Sequence, residues 1–372
     1  MFALLKKLLG IFCFNQKAAE GADAQAALAA LSAEPQPLDS TATRSWKMPS
    51  GPGRITIKRT PAPNASAPAA DYWWRIAPRP RPVFPEFEAI NNKEEFERLD
   101  RKIDSGDFAM MEVPDNIMGL LKVLKQPDIP FDNIAAVVQK SPVMAGEFLK
   151  IANSSLYSRG NKIRSLSQAL KLLGIEHIRA MFYLYSSSHN ISSSPLLNDA
   201  ANQVVEHSKA VSLIARHLSK KLFPDPDLAF LAGLLHDVGK LAILKQIGED
   251  FNIPQFDFKL TEEAFTEILP PLHAKAGKLV SQSWDIEESV ALAIECHHDY
   301  PSRNFEEGGE AAILHLCALV DLSDMMAKML GKGLFITEGN IFDYPAAAYF
   351  NFEPDTATLK LLEPIPALVK NC

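Results

Sequence analysis

The sequence predicts an all-α body of two helical halves, preceded by a proline-rich and largely disordered N-terminal region. From residue 91 onward, apolar residues recur at intervals of three and four, the spacing of an α-helix, and alternating runs typical of strands are few. Residues 17–85 are instead rich in Ala, Pro and Ser, a composition typical of linkers and disordered chain. The polar run SSSHNISSSPLLND at 186–199 separates the two helical halves. With 372 residues and 47% hydrophobic content, the chain can build a sizeable core.

The chain therefore divides into regions of different composition. In chain order, we predict a short amphipathic segment at 1–16, a basic and mostly disordered Pro/Ala-rich linker at 17–90, and a helical body at 91–372. The body comprises an N-terminal half at about 105–195, a second half at 196–330 and a C-terminal extension at 331–372. We expect residues 1–85 to be dispensable for folding, because they cannot bury enough apolar surface to offset the entropy of ordering them.

The helices of the body are placed by apolar spacing and by capping residues. Ser165 and Asp132 each precede an apolar run and are good N-cap residues, as is Asp285 with Glu288 three positions later. The body is predicted to hold helices at 92–106, 115–126, 131–141, 142–156 and 165–187, and helices continue from about residue 202.

The first residues, MFALLKKLLGIFCF, are apolar but too short to span a bilayer, which takes about 20 residues. No small-residue cleavage site follows them, so no secretory signal is predicted. Residues 1–16 are interpreted as a weak peripheral anchor at the inner membrane, or else as a frayed helix or a partner-docking segment. The expected location is the cytoplasm, with peripheral membrane contact as an option.

Charge is distributed unevenly along the chain. The formal net charge is -7, which argues against a nucleic-acid binder that works through overall basic charge. Between residues 44 and 82, however, eight basic residues accompany a single acid, Asp71, so a basic arm precedes an acidic body. The aromatic stretch in this arm, YWWRIAPRPRPVF, either docks on a partner or straps onto its own domain through Trp73 and Trp74.

Cysteine usage limits the kinds of metal site that are open to this chain. The four cysteines, Cys13, Cys296, Cys317 and Cys372, are widely scattered and form no C-x-x-C pair. This pattern fits a reducing cytoplasm and excludes a thiolate zinc finger. Any metal would have to be held by His and carboxylate side chains.

The segment from Leu228 to Leu244, LAFLAGLLHDVGKLAIL, places His236 and Asp237 in an almost wholly apolar run. Its length and its content of Leu and Ala predict one helix that is buried on most sides. A carboxylate buried without a partner costs several kcal/mol, so Asp237 must meet a cation, a donor network or a metal, or else line a wet cleft.

Further His and Asp residues lie on apolar helix faces elsewhere in the second half. Taken singly, each is more often a hydrogen-bonded core residue than a ligand. Taken together they offer enough nitrogen and oxygen ligands for one or two divalent ions such as Fe, Mn, Mg, Ni or Zn. Two ions would hold a bridging hydroxide for attack on phosphorus, and Lys240 could contact a phosphate oxygen. The candidate metal ligands are His207, His236, Asp237, His273, His297, His298 and Asp321.

The HDVGK core, with His207 before it and Asp321 after it, resembles the HD superfamily of metal-dependent phosphohydrolases. Residues 137–182, which include an Ala-Asn-Ser step at 152–154 and a Leu-Gly step at 173–174, resemble the first half of the HDOD signalling domain. The resemblance covers about residues 105–325. It implies a bacterial regulatory module in which catalysis is not the rule.

The catalytic relatives of this family, the HD-GYP phosphodiesterases, carry a Gly-Tyr-Pro segment soon after the paired histidines. Here Tyr300 and Pro301 follow without the glycine. The resemblance therefore implies a regulatory protein that binds signalling proteins or a ligand. The alternative is a metal-dependent phosphohydrolase that uses Asp237 and Lys240 on a phosphorylated small molecule or nucleotide. No specific binding of nucleic acid is expected.

Overall fold

A computed structural model describes residues 73–76, 93–108, 124, 129–158, 162–188, 191, 195–250, 269–300, 310–333 and 339–370. The described body is almost entirely α-helical, as predicted. The predicted segment at 1–16, most of the linker at 17–90 and nearly all of the predicted helix at 115–126 lie outside the described residues. Among the helices described, none combines the length and the apolar character needed to cross a membrane.

The first half consists of α1 (Lys93–Ser105), α2 (Phe131–Val138), α3 (Pro142–Ala152), α4 (Ser155–Ser158), α5 (Leu166–Leu173) and α6 (Ile175–Ser188). The second half consists of α7 (Pro195–Leu222), α8 (Pro226–Leu235), α9 (Val238–Asp250), α10 (Leu269–Ser283), α11 (Glu288–Cys296) and α12 (Glu310–Met329). The extension holds β2 (Gly339–Asn340), a 3-10 turn (Ile341–Asp343), α13 (Pro345–Tyr349), α14 (Thr356–Leu362) and α15 (Ile365–Val369), and β1 (Arg75–Ile76) comes from the N-terminal arm.

Three predicted helices are each split in the structure. The helix predicted at 142–156 is interrupted at Asn153 and Ser154, between α3 and α4. The helix predicted at 165–187 ends at Leu173, because Gly174 adopts φ +85, a left-handed conformation that stops a helix and suits glycine. The helix predicted from Leu228 to Leu244 is interrupted at His236 and Asp237, which form a turn between α8 and α9. An unbroken apolar pattern cannot show such a break, since both helices are buried on most sides.

The capping predictions were right at one position and wrong at two. Ser165 caps α5, and its hydroxyl accepts a hydrogen bond from the Gln168 amide. The helix predicted to begin after Asp132 begins instead after Pro130. Asp285 adopts φ 57 in the turn before α11, whose N-cap is Glu287.

Asn153, in the Ala-Asn-Ser step after α3, braces the first half. Its amide nitrogen donates to the carbonyl oxygens of Leu149 at 2.8 Å and Ile163 at 2.7 Å, and its carbonyl accepts from the Ile163 amide at 2.8 Å. These three bonds fasten the chain before α5 to the end of α3. The role of this asparagine is therefore structural.

The two halves share a continuous core, and α7 lies at its centre, in contact with α8, α9 and α12. A buried charge cluster crosses the junction, where Lys209 of α7 donates to Glu147 of α3 at 2.8 Å and also pairs with Glu206. Tyr183 of α6 stacks on Trp284 at 4.6 Å between ring centroids and donates to its carbonyl oxygen. Both contacts fix the position of the second half against the first.

The N-terminal arm reaches the C-terminal extension through a four-residue strap, Trp73–Ile76. Strand β1 of the strap pairs antiparallel with β2. Ile76 is buried, and Trp73 and Trp74 pack, partly buried, against the core. Of the two interpretations of the aromatic stretch, the structure shows the strap. The expectation that residues 1–85 are dispensable for folding therefore does not extend to residues 73–76.

Candidate metal centre

The candidate ligands of the second half converge in the structure. His207 lies in the middle of α7, the His236–Asp237 pair at the break between α8 and α9, His273 on α10, and His297 directly after α11. All five side chains are at most 5% exposed. Six polar groups from five parts of the fold, once Asp324 of α12 is included, therefore share one buried volume.

Two glycines bring the HD turn close to its neighbours. A Cβ on Gly233 would lie 2.9 Å from the Ser212 Cα of α7, and a Cβ on Gly239 would lie 1.9 Å from the His273 carbonyl oxygen of α10. Only glycine allows such close backbone approach. Gly277 of α10 lies on the other side of this contact, where a Cβ would lie 3.3 Å from the Gly239 amide nitrogen.

Three of the imidazoles are oriented by backbone carbonyl groups. The Nδ1 atom of His207 lies 2.7 Å from the Lys332 carbonyl oxygen, that of His236 lies 2.9 Å from the Gly233 oxygen, and that of His297 lies 2.7 Å from the Ile294 oxygen. Because a carbonyl oxygen only accepts, each Nδ1 must carry the hydrogen. Each neutral ring then presents an unprotonated Nε2, the form that binds a metal.

The Nε2 atom of His297 lies 3.4 Å from that of His273, and the Nε2 atoms of the other three buried histidines face carboxylate oxygens. His207 Nε2 lies 3.0 Å from Asp324 Oδ1 and 3.6 Å from Asp237 Oδ2, and His236 Nε2 lies 3.4 Å from the same Asp237 oxygen. His273 Nε2 is 3.3 Å from the other Asp237 oxygen, Oδ1. Asp237 thus lies between two groups of imidazoles and turns one oxygen toward each.

The centre contains more acceptors than donors. Among the described residues, no group meets hydrogen-bond geometry at His207 Nε2, His236 Nε2, Asp237 Oδ1 or Asp324 Oδ1, although His207 Nε2 and Asp324 Oδ1 lie only 3.0 Å apart. Burial lowers the pKa of His236 to about 4, so this ring is neutral at pH 7. Lone pairs of buried groups that face one another require either protons or a cation between them. Three of these atoms belong to His207, His236 and Asp324, a group that could hold a divalent ion, whereas Asp237 Oδ1 faces His273.

Asp324 was missed by the sequence analysis, which chose Asp321 one turn earlier on α12. Asp324 is 2% exposed, and its carboxylate reaches both His207 and Lys328, whose Nζ donates to Oδ2 at 2.5 Å. Burial favours a higher pKa for Asp324, but the Lys328 ammonium and His207 lower it well below its usual range. Lys328 was the sequence feature that could have indicated Asp324, because residues four positions apart on a helix lie on the same face and can form an ion pair.

Asp321 lies at the margin of the centre and is held by two tyrosines. Tyr344 donates to Oδ1 at 2.8 Å and Tyr300 donates to Oδ2 at 3.2 Å. Burial raises the pKa of Asp321 to about 7, and the Asp324 charge acts in the same direction. A carboxylate oxygen of Asp321 remains within 4.8 Å of possible ligand atoms of Asp324 and His298.

His298 and Lys240 occupy positions that differ from those of the buried ligands. His298 is exposed and forms a group with His273 and His297 whose ligand atoms lie within 4.8 Å of one another. Lys240, predicted to contact a phosphate oxygen, instead donates to Asp237 Oδ2 at 2.5 Å. Burial favours a higher pKa for Asp237, but the surrounding imidazoles and the Lys240 ammonium lower it well below its usual range.

Comparison with known proteins supports the family inferred from the motifs. The family model of the HDOD domain matches residues 110–300, just over half of the chain. This chain belongs to the HDOD family. An "Uncharacterized protein" of Treponema pallidum (strain Nichols) is 22% identical to this HDOD chain over 202 residues, which are 51% of the chain and 38% of that protein. The match thus spans well under two thirds of the relative's length.

Two crystal structures resemble this HDOD chain. That of a "Putative metal-dependent phosphohydrolase" from Shewanella amazonensis SB2B has a TM-score of 0.56 at 20% identity and covers 75% of this chain and 99% of that one. That of an HDOD domain protein with unknown function from Geobacter sulfurreducens has a TM-score of 0.49 at 22% identity and covers 75% and 96%. At such identities the first likeness shows a common fold.

Proposed function

We propose that this chain is a bacterial signalling protein whose second half holds a divalent metal centre and which acts by binding a protein or small-molecule partner. The observation that carries the metal is the arrangement of His207, His236 and His297. Each fixes Nδ1 on a backbone carbonyl and turns Nε2 into a buried centre that is rich in acceptors. Hydrogen bonds of this kind orient histidine ligands in metal proteins.

The ligand groups suggest room for two ions that share Asp237. His207, His236 and Asp324 form one group, and His273, His297 and His298 form the other. The two Asp237 oxygens face the two groups separately. A set dominated by imidazole nitrogen suits Fe, Mn, Ni or Zn better than Mg, which prefers oxygen ligands. In this proposal Asp324 takes the place predicted for Asp321 in the first group, and Asp321 joins Asp324 and His298 in a further possible ligand group.

Burial of the first group favours a regulatory role over a catalytic one. His207, His236 and Asp324 are each at most 5% exposed. Closed metal sites are typical of structural roles, whereas catalytic sites keep a position open for water or substrate. Both ammonium groups near the centre, those of Lys240 and Lys328, are engaged by its carboxylates, so a phosphate group would have to displace one of them.

The alternative, a metal-dependent phosphohydrolase, is favoured by one observation. His298 is exposed, so the second group has an edge that faces solvent. An ion there would supply Lewis-acid stabilisation of a phosphoryl oxygen. Lys240 would have to leave Asp237 Oδ2 to contact the substrate.

A hydrolysis assay with metal-loaded protein separates the two functions. The wild type and the Asp237→Asn variant would be loaded with Mn²⁺ or Fe²⁺ and assayed on a panel of phosphomonoesters, phosphodiesters and cyclic dinucleotides. The regulatory proposal predicts that metal raises the melting temperature of the wild type without giving turnover above that of the variant. Metal-dependent turnover that the substitution abolishes would overturn it in favour of the phosphohydrolase.

A further inference from the structure

The strap Trp73–Ile76 is fastened to the C-terminal extension by backbone pairing and by apolar packing. Arg75 pairs with Asn340, Ile76 pairs with Gly339, and the Ile341 amide donates to the Trp74 carbonyl oxygen at 3.0 Å. The indole rings of Trp73 and Trp74 meet edge to face, 5.8 Å apart between centroids, and both rest on the core. Strand β2 is thus one half of a two-stranded ribbon whose other half comes from the N-terminal arm.

The chain on either side of β2 touches the metal centre. Before β2, the Lys332 carbonyl oxygen accepts from His207 Nδ1 at 2.7 Å. Gly333 follows with φ +126, and a Cβ at this position would lie 2.8 Å from the same His207 nitrogen. After β2, the Tyr344 hydroxyl donates to Asp321 Oδ1 at 2.8 Å. We call the described residues 339–344 the C-terminal bracket.

We propose that the strap is a positioning element, which holds the C-terminal bracket against Asp321 and thereby sets the metal affinity of the centre. The proposal rests on the metal centre of the proposed function. Groups that hydrogen-bond to a metal ligand fix its ring orientation, and their loss weakens metal binding by about 10–100-fold. Tyr344 is such a group for Asp321, whose carboxylate forms a possible ligand group with His298 and Asp324.

The strap is suited to regulating the metal centre because only four residues attach it to the C-terminal extension. A two-stranded ribbon is marginal in water without packing against other elements, so β2 depends on the partners that the strap provides. Both the strap and the C-terminal bracket lie outside residues 110–300, the part that matches the HDOD family model. The strap and the C-terminal bracket therefore connect the N-terminal arm to the metal centre through segments that lie before and after the matched HDOD region in the sequence.

The first test measures metal affinity in full-length variants. Trp74→Ala removes the indole that anchors the strap, and Tyr344→Phe removes one hydroxyl and leaves the ring. Arg75→Ala is the matched control, because this side chain is exposed and β1 pairs through its backbone. Zn²⁺ affinity would be measured by competition with a chromophoric chelator.

We expect Trp74→Ala and Tyr344→Phe each to weaken Zn²⁺ binding, by up to about 10–100-fold, while Arg75→Ala binds like the wild type. The double variant Trp74→Ala/Tyr344→Phe should be no weaker than Trp74→Ala alone, because release of the strap already withdraws Tyr344 from Asp321. Wild-type affinity in Trp74→Ala, or losses that multiply in the double variant, would overturn the proposal.

The second test needs no metal. In chelator-treated protein, amide hydrogen exchange across residues 339–344 should be at least about tenfold faster in Trp74→Ala than in the wild type and in Arg75→Ala. Unchanged exchange would overturn the positioning role. If the wild type takes up no Zn²⁺ at all, the proposed metal centre fails, and the exchange result alone decides whether the strap positions the C-terminal bracket.

Discussion

Gly239→Ala is expected to separate α9 from α10 and to disturb the metal centre from a position that is not a ligand. The added Cβ would lie 1.9 Å from the His273 carbonyl oxygen and 2.5 Å from the Gly277 amide nitrogen. Ordinary contact begins near 3.4 Å, so the two backbones must move apart by about 1.5 Å. Overpacking of a core usually costs about 1–3 kcal/mol, and a clash with backbone atoms belongs at the upper end.

A loss of about 3 kcal/mol corresponds to a fall in melting temperature of about 6–12 °C for a domain of this size. Thermal unfolding of chelator-treated protein, followed by circular dichroism, measures it without contributions from metal. Gly146→Ala on α3 is the matched control. No heavy atom lies within 4 Å of a Cβ at Gly146, and alanine has the higher helix propensity, so its melting temperature should stay level or rise. Equal melting temperatures for the two variants would refute the close contact of α9 with α10.

Three other perturbations probe separate parts of the account. Asp237→Ala should lower both metal content and melting temperature, and the absence of both changes together would show that Asp237 makes no contribution to the centre. Glu147→Gln should destabilise the protein at pH 7 by roughly 1–3 kcal/mol in urea unfolding. Burial favours a higher pKa for Glu147, but the hydrogen bond from Lys209 outweighs burial and lowers the pKa from 4.5. The ionised carboxylate therefore stabilises the wild type above pH 4.5, and the stability deficit of the variant should shrink as pH falls through the folded pKa. A stability deficit that does not change with pH would contradict this. A chain that begins at residue 86 should melt below one that begins at residue 70, because it lacks the strap, and equal melting would show that Trp73 and Trp74 add nothing to stability.

The sequence was most informative where a local pattern and a chemical requirement coincide. An aspartate in an apolar run demanded a partner, and the structure surrounds Asp237 with three imidazoles and an ammonium group. Helical spacing likewise predicted the all-α body. The break between α8 and α9 could not be foreseen, because both helices are buried on most sides and the apolar pattern continues through the turn.

The sequence was least informative about contacts between distant segments. Asp321 and Asp324 lie one turn apart on α12, so periodicity could not decide which carboxylate reaches His207. The structure separates their roles through Tyr344, a residue that follows β2 and whose hydroxyl donates a hydrogen bond to Asp321. The strap shows the same limit, since the pairing of residues 75–76 with residues 339–340 leaves no periodic trace in either segment.

The metal content of the untagged wild-type protein tests the central claim most directly. Inductively coupled plasma mass spectrometry, after exhaustive dialysis, would count the bound ions per chain, and His207→Ala would serve as the comparison. The account predicts about one or two equivalents of a divalent transition metal in the wild type and a clear loss in the variant. A folded, cooperatively melting wild type that retains no metal, and takes up none from Mn²⁺, Fe²⁺, Ni²⁺ or Zn²⁺, would contradict it.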